Sequence, residues 1–164
     1  MIKKSAKFTP KRFLIIITLS ILSIMITFCF SFAWVKQPKY MGSLACKPCH
    51  EDEYKSFITY ARKSNSFKSI ERLKKELTEE EIKGCYQCHT TGYGKLGGFI
   101  SPEKTPHLKN AGCEVCHGPG EFHIKTKNPL YIKRHLNKED CKICHTEERV
   151  KAFRYKPLIH GGAH

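Results

Sequence analysis

The chain has 164 residues and carries 29 Lys and Arg against 15 Asp and Glu, a formal charge of +14. Such a balance invites a nucleic-acid partner, but five of the charges precede a long apolar run that sends the rest of the chain out of the cytoplasm, and that address excludes it. Beyond residue 35 about 129 residues remain, enough for one small domain but poor in apolar material for a free-standing core.

Taken in chain order, residues 1–12 form a basic cytoplasmic flank with Lys3, Lys4, Lys7, Lys11 and Arg12 and no acid. From Phe13 to Val35 no residue is charged. That run exceeds the roughly 20 residues that cross a bilayer as a helix, so 13–35 is predicted to be a transmembrane anchor or uncleaved signal. The positive flank stays inside, which places everything from Lys36 onward on the periplasmic side of the cytoplasmic membrane. Ser31-Phe32-Ala33 resembles a small-x-small cleavage site, and the alternative is a soluble periplasmic protein after signal removal. Cys29 lies in the run after the bulky Phe28, unlike a lipoprotein cysteine, and reads as apolar filler. Residues 36–42, with Pro38, read as a tether, and 43–164 as the exported domain.

That domain repeats one pattern four times. Cys46-x-x-Cys49-His50, Cys85-x-x-Cys88-His89, Cys113-x-x-Cys116-His117 and Cys141-x-x-Cys144-His145 each have the form of a c-type haem attachment site. Two thiols at this spacing reach the two vinyl groups of one porphyrin, and the following histidine binds iron from the proximal side. A disulfide framework does not require a histidine after every second thiol, and structural zinc needs only some of them. Four covalently bound haem c groups are therefore expected, with their iron. Their faces supply the apolar surface that the polypeptide lacks, giving a mainly α fold with extensive loops, organised around the cofactors and dependent on them.

Between the motifs, Ser43 is placed to cap the turn bearing Cys46 to His50. Tyr54, Phe57, Ile58 and Ala61 predict an amphipathic helix over 51–63, and Phe67, Ile70, Leu73 and Leu77 a second. Thr78-Glu79-Glu80-Glu81 has the form of a capping box that opens the helix delivering Cys85 and Cys88. Thr90 to Gly112 reads as loop, Gly118-Pro119-Gly120 as a stop, and Asn137 as a helix start before Cys141, with 146–155 able to continue as helix. Gly92-Tyr93-Gly94-Lys95-Leu96-Gly97 fits the dinucleotide fingerprint, but that fingerprint needs a preceding strand within a βαβ unit, and a haem motif stands there instead.

All nine histidines follow residue 49. With His50, His89, His117 and His145 proximal, His107, His123, His135 and His160 are the candidate distal ligands, and the terminal His164 the weakest. A bis-histidine haem has no vacant position and serves electron transfer, whereas an open haem can bind NO or nitrite.

Gly112-Cys113-Glu114-Val115-Cys116-His117-Gly118-Pro119-Gly120 followed by His123 resembles the signature of the tetrahaem cytochrome c-554 family. Thr90-Thr91-Gly92-Tyr93-Gly94 and Thr105-Pro106-His107 are in the same style. The resemblance runs over about residues 40–145. It implies that His107 is distal ligand to the first haem and His123 to the fourth, and that the second haem can lack a protein ligand. It also implies a histidine on the helix after the first motif, for the third haem. This chain has none there. Asn65 stands near that place, and asparagine is a poor iron ligand, so His135 or His160 must serve or the third haem stays open.

The expected function is membrane-anchored electron transfer, passing single electrons between exported redox proteins, or between them and the quinone pool. The chain reads as a carrier rather than an enzyme. The alternatives are a quinol dehydrogenase and a haem oxidoreductase acting on NO or nitrite. The exported part has 24 bases against 15 acids, and the propionates of four haems bring its charge from +9 to roughly +5, so that a basic rim can steer an acidic redox partner or meet anionic lipid.

Overall fold

The computed structural model describes residues 10–32 and 36–146, and within the first of these stretches the side chains of Lys11 and residues 14–25. The chain divides into two compact units, Met1–Gln37 and Pro38–His164. In the first, the backbone of α1 (Pro10–Phe32) is helical, and Leu14, Ile15, Ile16, Leu19, Ile21, Leu22, Ile24 and Met25 are all exposed. Among the described residues no helix is long and apolar enough to cross a membrane, so the predicted span gains no support from them.

The second unit is built of short helices joined by irregular backbone, with no strand among the described residues. The helices are α2 (Glu51–Tyr60), α3 (Phe67–Leu73), α4 (Glu79–His89), α5 (Cys113–His117), α6 (Glu121–Thr126) and α7 (Lys138–Lys142). Without a strand, the Gly92–Gly97 sequence has no βαβ unit around it. Its glycines serve a tight turn instead. Gly92 has φ 72°, and a Cβ there would lie 2.7 Å from the Tyr40 ring.

The elements begin where local chemistry dictates. Thr78 accepts a bond from Glu81 N while the Glu81 carboxylate accepts from Thr78 N, so the capping box opens α4 as predicted. The Thr78 N–H, and after it the Thr78 hydroxyl, donate to the Glu81 carboxylate and hold it below its ordinary pKa. Asn137 and Asp140 form the same reciprocal pair at α7. The helix predicted over 51–63 ends early. Ala61 turns to extended backbone (ψ 110°) and is buried, and Arg62–Asn65 form a 3₁₀ turn. α3 likewise stops at Leu73, short of Leu77. Ser43 does not cap its own turn. Its hydroxyl accepts from Cys113 N at 3.0 Å and thereby ties the first motif to the third. The predicted continuation over 146–155 lies outside the described residues beyond Thr146.

The core is thin. Tyr40, Phe67, Ile70, Phe99 and Leu108 form its buried centre, with Ile82, Cys85, Tyr86 and Tyr93 packed against it. Tyr86 meets Phe99 and Tyr93 edge-on at 5.1 and 5.2 Å, geometries worth about 1 kcal/mol each beyond burial. Around this centre, polar side chains do work that a strand ladder does elsewhere. Thr91, 1% exposed, donates its hydroxyl to Asn110 O at 2.6 Å and accepts from Gly112 N at 2.9 Å.

Residues 36–42, expected as a tether, are tied down from Lys39 on. The Glu114 carboxylate, 2% exposed, accepts from Met41 N at 2.9 Å, Gly42 N at 2.7 Å and Gly120 N at 2.7 Å. Glu121 accepts from Lys39 N at 2.9 Å and pairs with Lys125 at 2.6 Å. Charge-assisted bonds to buried amides are the strong kind, and losing the acceptor leaves the amides unsatisfied. Glu114→Ala should therefore lower the unfolding free energy by about 3 kcal/mol, and Glu114→Gln by roughly half of that. Urea unfolding of the haem-loaded protein measures both, and a loss below about 1 kcal/mol for the alanine variant would contradict the clamp.

Candidate haem site

The first and third Cys-x-x-Cys-His turns face one cavity of about 540 Å³. It is lined by Cys46, Cys49 and His50 from the first motif, Cys113 and His117 from the third, and His123 from α6. The rings of His50 and His123 stand 6.2 Å apart, centroid to centroid, with 32° between their planes. Two imidazoles on opposite sides of one metal, each bonded at about 2 Å and with about 1.2 Å from nitrogen to ring centre, have centroids about 6.4 Å apart. The spacing is one at which His50 and His123 would hold a single metal between them. The resemblance assigned His123 to the fourth haem and His107 to the first; the structure places the His123 ring beside that of His50, in the same cavity. His107 is exposed and does not line this cavity. It packs on the turn before Cys46, where Gly42 has φ 81° and a Cβ would meet His107 O at 2.7 Å.

Three histidines have their Nδ1 engaged by backbone carbonyls. His89 Nδ1 lies 2.9 Å from Ser66 O, His117 Nδ1 2.6 Å from Lys133 O, and His123 Nδ1 3.0 Å from Asn128 O. A carbonyl only accepts, so each Nδ1 carries the proton and Nε2 keeps its lone pair for a metal. This is the arrangement that fixes tautomer and ring direction in ligating histidines.

The four motifs are positioned by different devices. Ser66 holds the second: its hydroxyl donates to His89 O at 2.8 Å and accepts from Ala111 N at 2.9 Å. The first and third are neighbours, since the Cys46 and Cys113 thiols act on each other. That interaction pulls the Cys113 pKa down, and the same interaction followed by burial pushes Cys46 up. In a haem-bearing chain both sulfurs are thioethers and do not titrate. What persists is the proximity of the two attachment points. The third and fourth motifs are also neighbours, because the charges of Cys116 and Lys63 act on Cys141 after burial does. Burial, then Lys63, lowers the His145 pKa and favours the neutral imidazole that a metal needs.

None of the eight cysteines of the motifs is paired in a disulfide. Among the described residues no group of three or more His, Cys, Asp or Glu side chains converges as a metal site needs, so the thiols do not assemble the four-ligand cage of structural zinc. The donor set fits porphyrins held at separate thiol pairs. Asn65 is exposed and donates to Ser64 at 3.2 Å, and His135 is exposed. His160 and His164 lie outside the described residues.

A family model described as Cytochrome c554 and c-prime matches residues 45–118. Cytochrome c-554 of Nitrosomonas europaea is 31% identical over 93 residues, covering 49% of this chain and 39% of that relative. The stretch over 45–118 is cytochrome c-554-like. The aligned part spans well under half of the relative's length, and no solved structure matches. Similarity to this family implies haem c, bound covalently and carrying iron.

Glu114, Glu121, Ser66 and Thr91 escaped sequence reasoning as positioning residues, and Ser43 was read as the cap of its own turn rather than as a tie to Cys113. Only Glu114 left a usable signal, as an acid between two haem cysteines in a basic chain. Lys127 is a further case. It closes α6 in left-handed backbone (φ 58°, ψ 10°), its N donating to His123 O at 2.7 Å. Lys127→Gly relieves a conformation that glycine adopts freely and should stabilise the protein by about 0.5–1 kcal/mol. Thermal unfolding should show a rise of a few degrees, and a fall would mean that the lysine side chain, not the backbone, holds this cap.

Proposed function

We propose that the chain is a membrane-anchored tetrahaem c-type cytochrome that passes single electrons between redox partners on the periplasmic side of the cytoplasmic membrane. The observation that carries this reading is the 6.2 Å pairing of His50 with His123. His50 and His123 would hold a haem from both faces and leave no position for a substrate, and the first site would then move electrons without making or breaking bonds. Haem iron supplies the chemistry, alternating between ferric and ferrous states.

The protein's own residues fix and space the groups. Cys46 and Cys49, Cys85 and Cys88, Cys113 and Cys116, and Cys141 and Cys144 each fasten one porphyrin, with His50, His89, His117 and His145 beneath. Meeting of the first and third motifs, and of the third and fourth, supports a chain of near-neighbour redox groups. His107, His135 and His160 remain the candidates for the other distal positions. The anchor rests on the sequence alone, on the uncharged run from Phe13 to Val35, which is longer than the roughly 20 residues a bilayer-spanning helix needs.

Mass spectrometry of the exported protein should show the added mass of four haem groups, and Cys→Ala changes at any one motif should remove one group. A product bearing none ends the proposal. The ferric protein should also show a low-spin first haem. His123→Gly should convert one haem to a high-spin form that binds cyanide or NO, while leaving the attached mass unchanged. Spin-resonance and optical spectra read this, and an unchanged low-spin population would remove His123 from the iron. Sodium carbonate washing should leave the full-length protein in the membrane pellet, and its release would favour a cleaved signal.

A further inference from the structure

The segment after α6 is basic, apolar at its tip and hydrogen-bonded at both ends. From Phe122 to Lys138 the sequence contains Lys125, Lys127, Lys133, Arg134 and Lys138 and no acid. At its centre the 3₁₀ turn Pro129–Tyr131 is capped by Asn128, whose Oδ1 accepts from Leu130 N at 2.9 Å. Leu130 is 88% exposed and Tyr131 51%. Tyr131 is braced edge-on by Phe122 at 5.8 Å. Lys125 is paired with Glu121 and Lys133 with Asp140; Lys127, whose Nζ donates to Cys49 Sγ at 3.4 Å, and Arg134 both border the 540 Å³ cavity and have no carboxylate within ion-pair reach among the described residues.

Both ends of this turn are tied to candidate iron ligands. Asn128 O accepts from His123 Nδ1, and Lys133 exchanges two bonds with His117, donating N to O at 3.0 Å and accepting from Nδ1 at 2.6 Å. A fully exposed leucine on a segment held this firmly gains nothing within the monomer. An apolar tip beside cations that no carboxylate neutralises, at the rim of a redox site, is the surface that transient electron-transfer encounters use, small in area and steered by charge.

We propose that the Leu130–Tyr131 tip with Lys127 and Arg134 is the docking surface for an acidic redox protein, placed where electrons enter at the haems held by His117 and His50. The proposal rests on the electron-transfer reading above. Each encounter moves one electron from the reduced partner to ferric iron; the partner is oxidised by one electron, and no proton or bond is exchanged.

The test uses the full-length haem-loaded protein in neutral detergent. The probe is a reduced flavodoxin, a small acidic one-electron donor, and photoreduced lumiflavin serves as a small uncharged reference. Rates of haem reduction are read by stopped flow, and each variant is scored as the ratio of the flavodoxin to the lumiflavin rate constant. Arg134→Glu should lower that ratio about tenfold at low salt, the deficit closing as salt screens the charges. Leu130→Ser should lower it about fivefold at every salt concentration. Ratios within twofold of the unaltered protein for both variants overturn the proposal. So does a concentration-dependent dimer that Leu130→Ser abolishes while the ratio stays, because the tip then meets a second copy. Absence of haem reduction by lumiflavin in the unaltered protein is a different failure, that of the electron-transfer reading itself.

Discussion

A single buried carboxylate organises the region where the chain's chemistry meets. Glu114 sits between Cys113 and Cys116, so its backbone belongs to the third haem turn, while its oxygens hold Met41 and Gly42 just before the first turn and Gly120 just before α6. One side chain thus fixes three segments far apart in sequence. Remove it and the first motif loses its register against the third, and His123 its register against His50. A carboxylate suits this task because it accepts several amides at once in a place too crowded for a strand to pair. Its desolvation cost is offset by hydrogen bonds from amides that have no other partner nearby.

From that clamp the rest follows by short, local ties. Ser43 reaches across to Cys113, Ser66 to His89 and Ala111, and Thr91 to Asn110 and Gly112. Each satisfies backbone groups that regular structure leaves open. Backbone carbonyls then orient His89, His117 and His123 through Nδ1. The ligand directions are therefore set by the polypeptide and do not depend on the metal to choose them.

Much of this was legible in the residues. The four motifs, the capping box at Thr78, the helix start at Asn137 and the stop at Gly118 are local patterns, and local patterns determine local structure. Helix lengths were less legible. Apolar spacing carries on through Ala61 and Leu77, but burial of Ala61 and the turn into Arg62–Asn65 end α2 early. The tether over 36–42 misled for a different reason. A short segment with a proline looks free until the distant carboxylates that bind it are known, and a pairing across more than 70 residues leaves no periodicity behind. The distal ligand assignment shows the same limit. Residue types do not say which motif a histidine neighbours; His123 lies beside His50 because α6 starts after Gly120, which the Glu114 carboxylate holds.

The thinness of the core argues for why the cofactors and the fold are one problem. Five residues form the buried apolar centre, and it lies beside the second motif, around Phe67, Tyr86 and Phe99. The first and third motifs instead border a cavity of about 540 Å³. A void of that size lined by Ile124, Ile132 and Tyr54 costs stability when nothing packs its walls. Porphyrin faces packed there turn the same walls into buried surface. The polar ties then need only hold the rims, which is what Glu114, Ser43 and the Lys133–His117 bonds do. A chain arranged this way gives up an independent core and gains ligands whose spacing is fixed by the same contacts that keep it folded, so a change that loosens the fold should also disturb the irons.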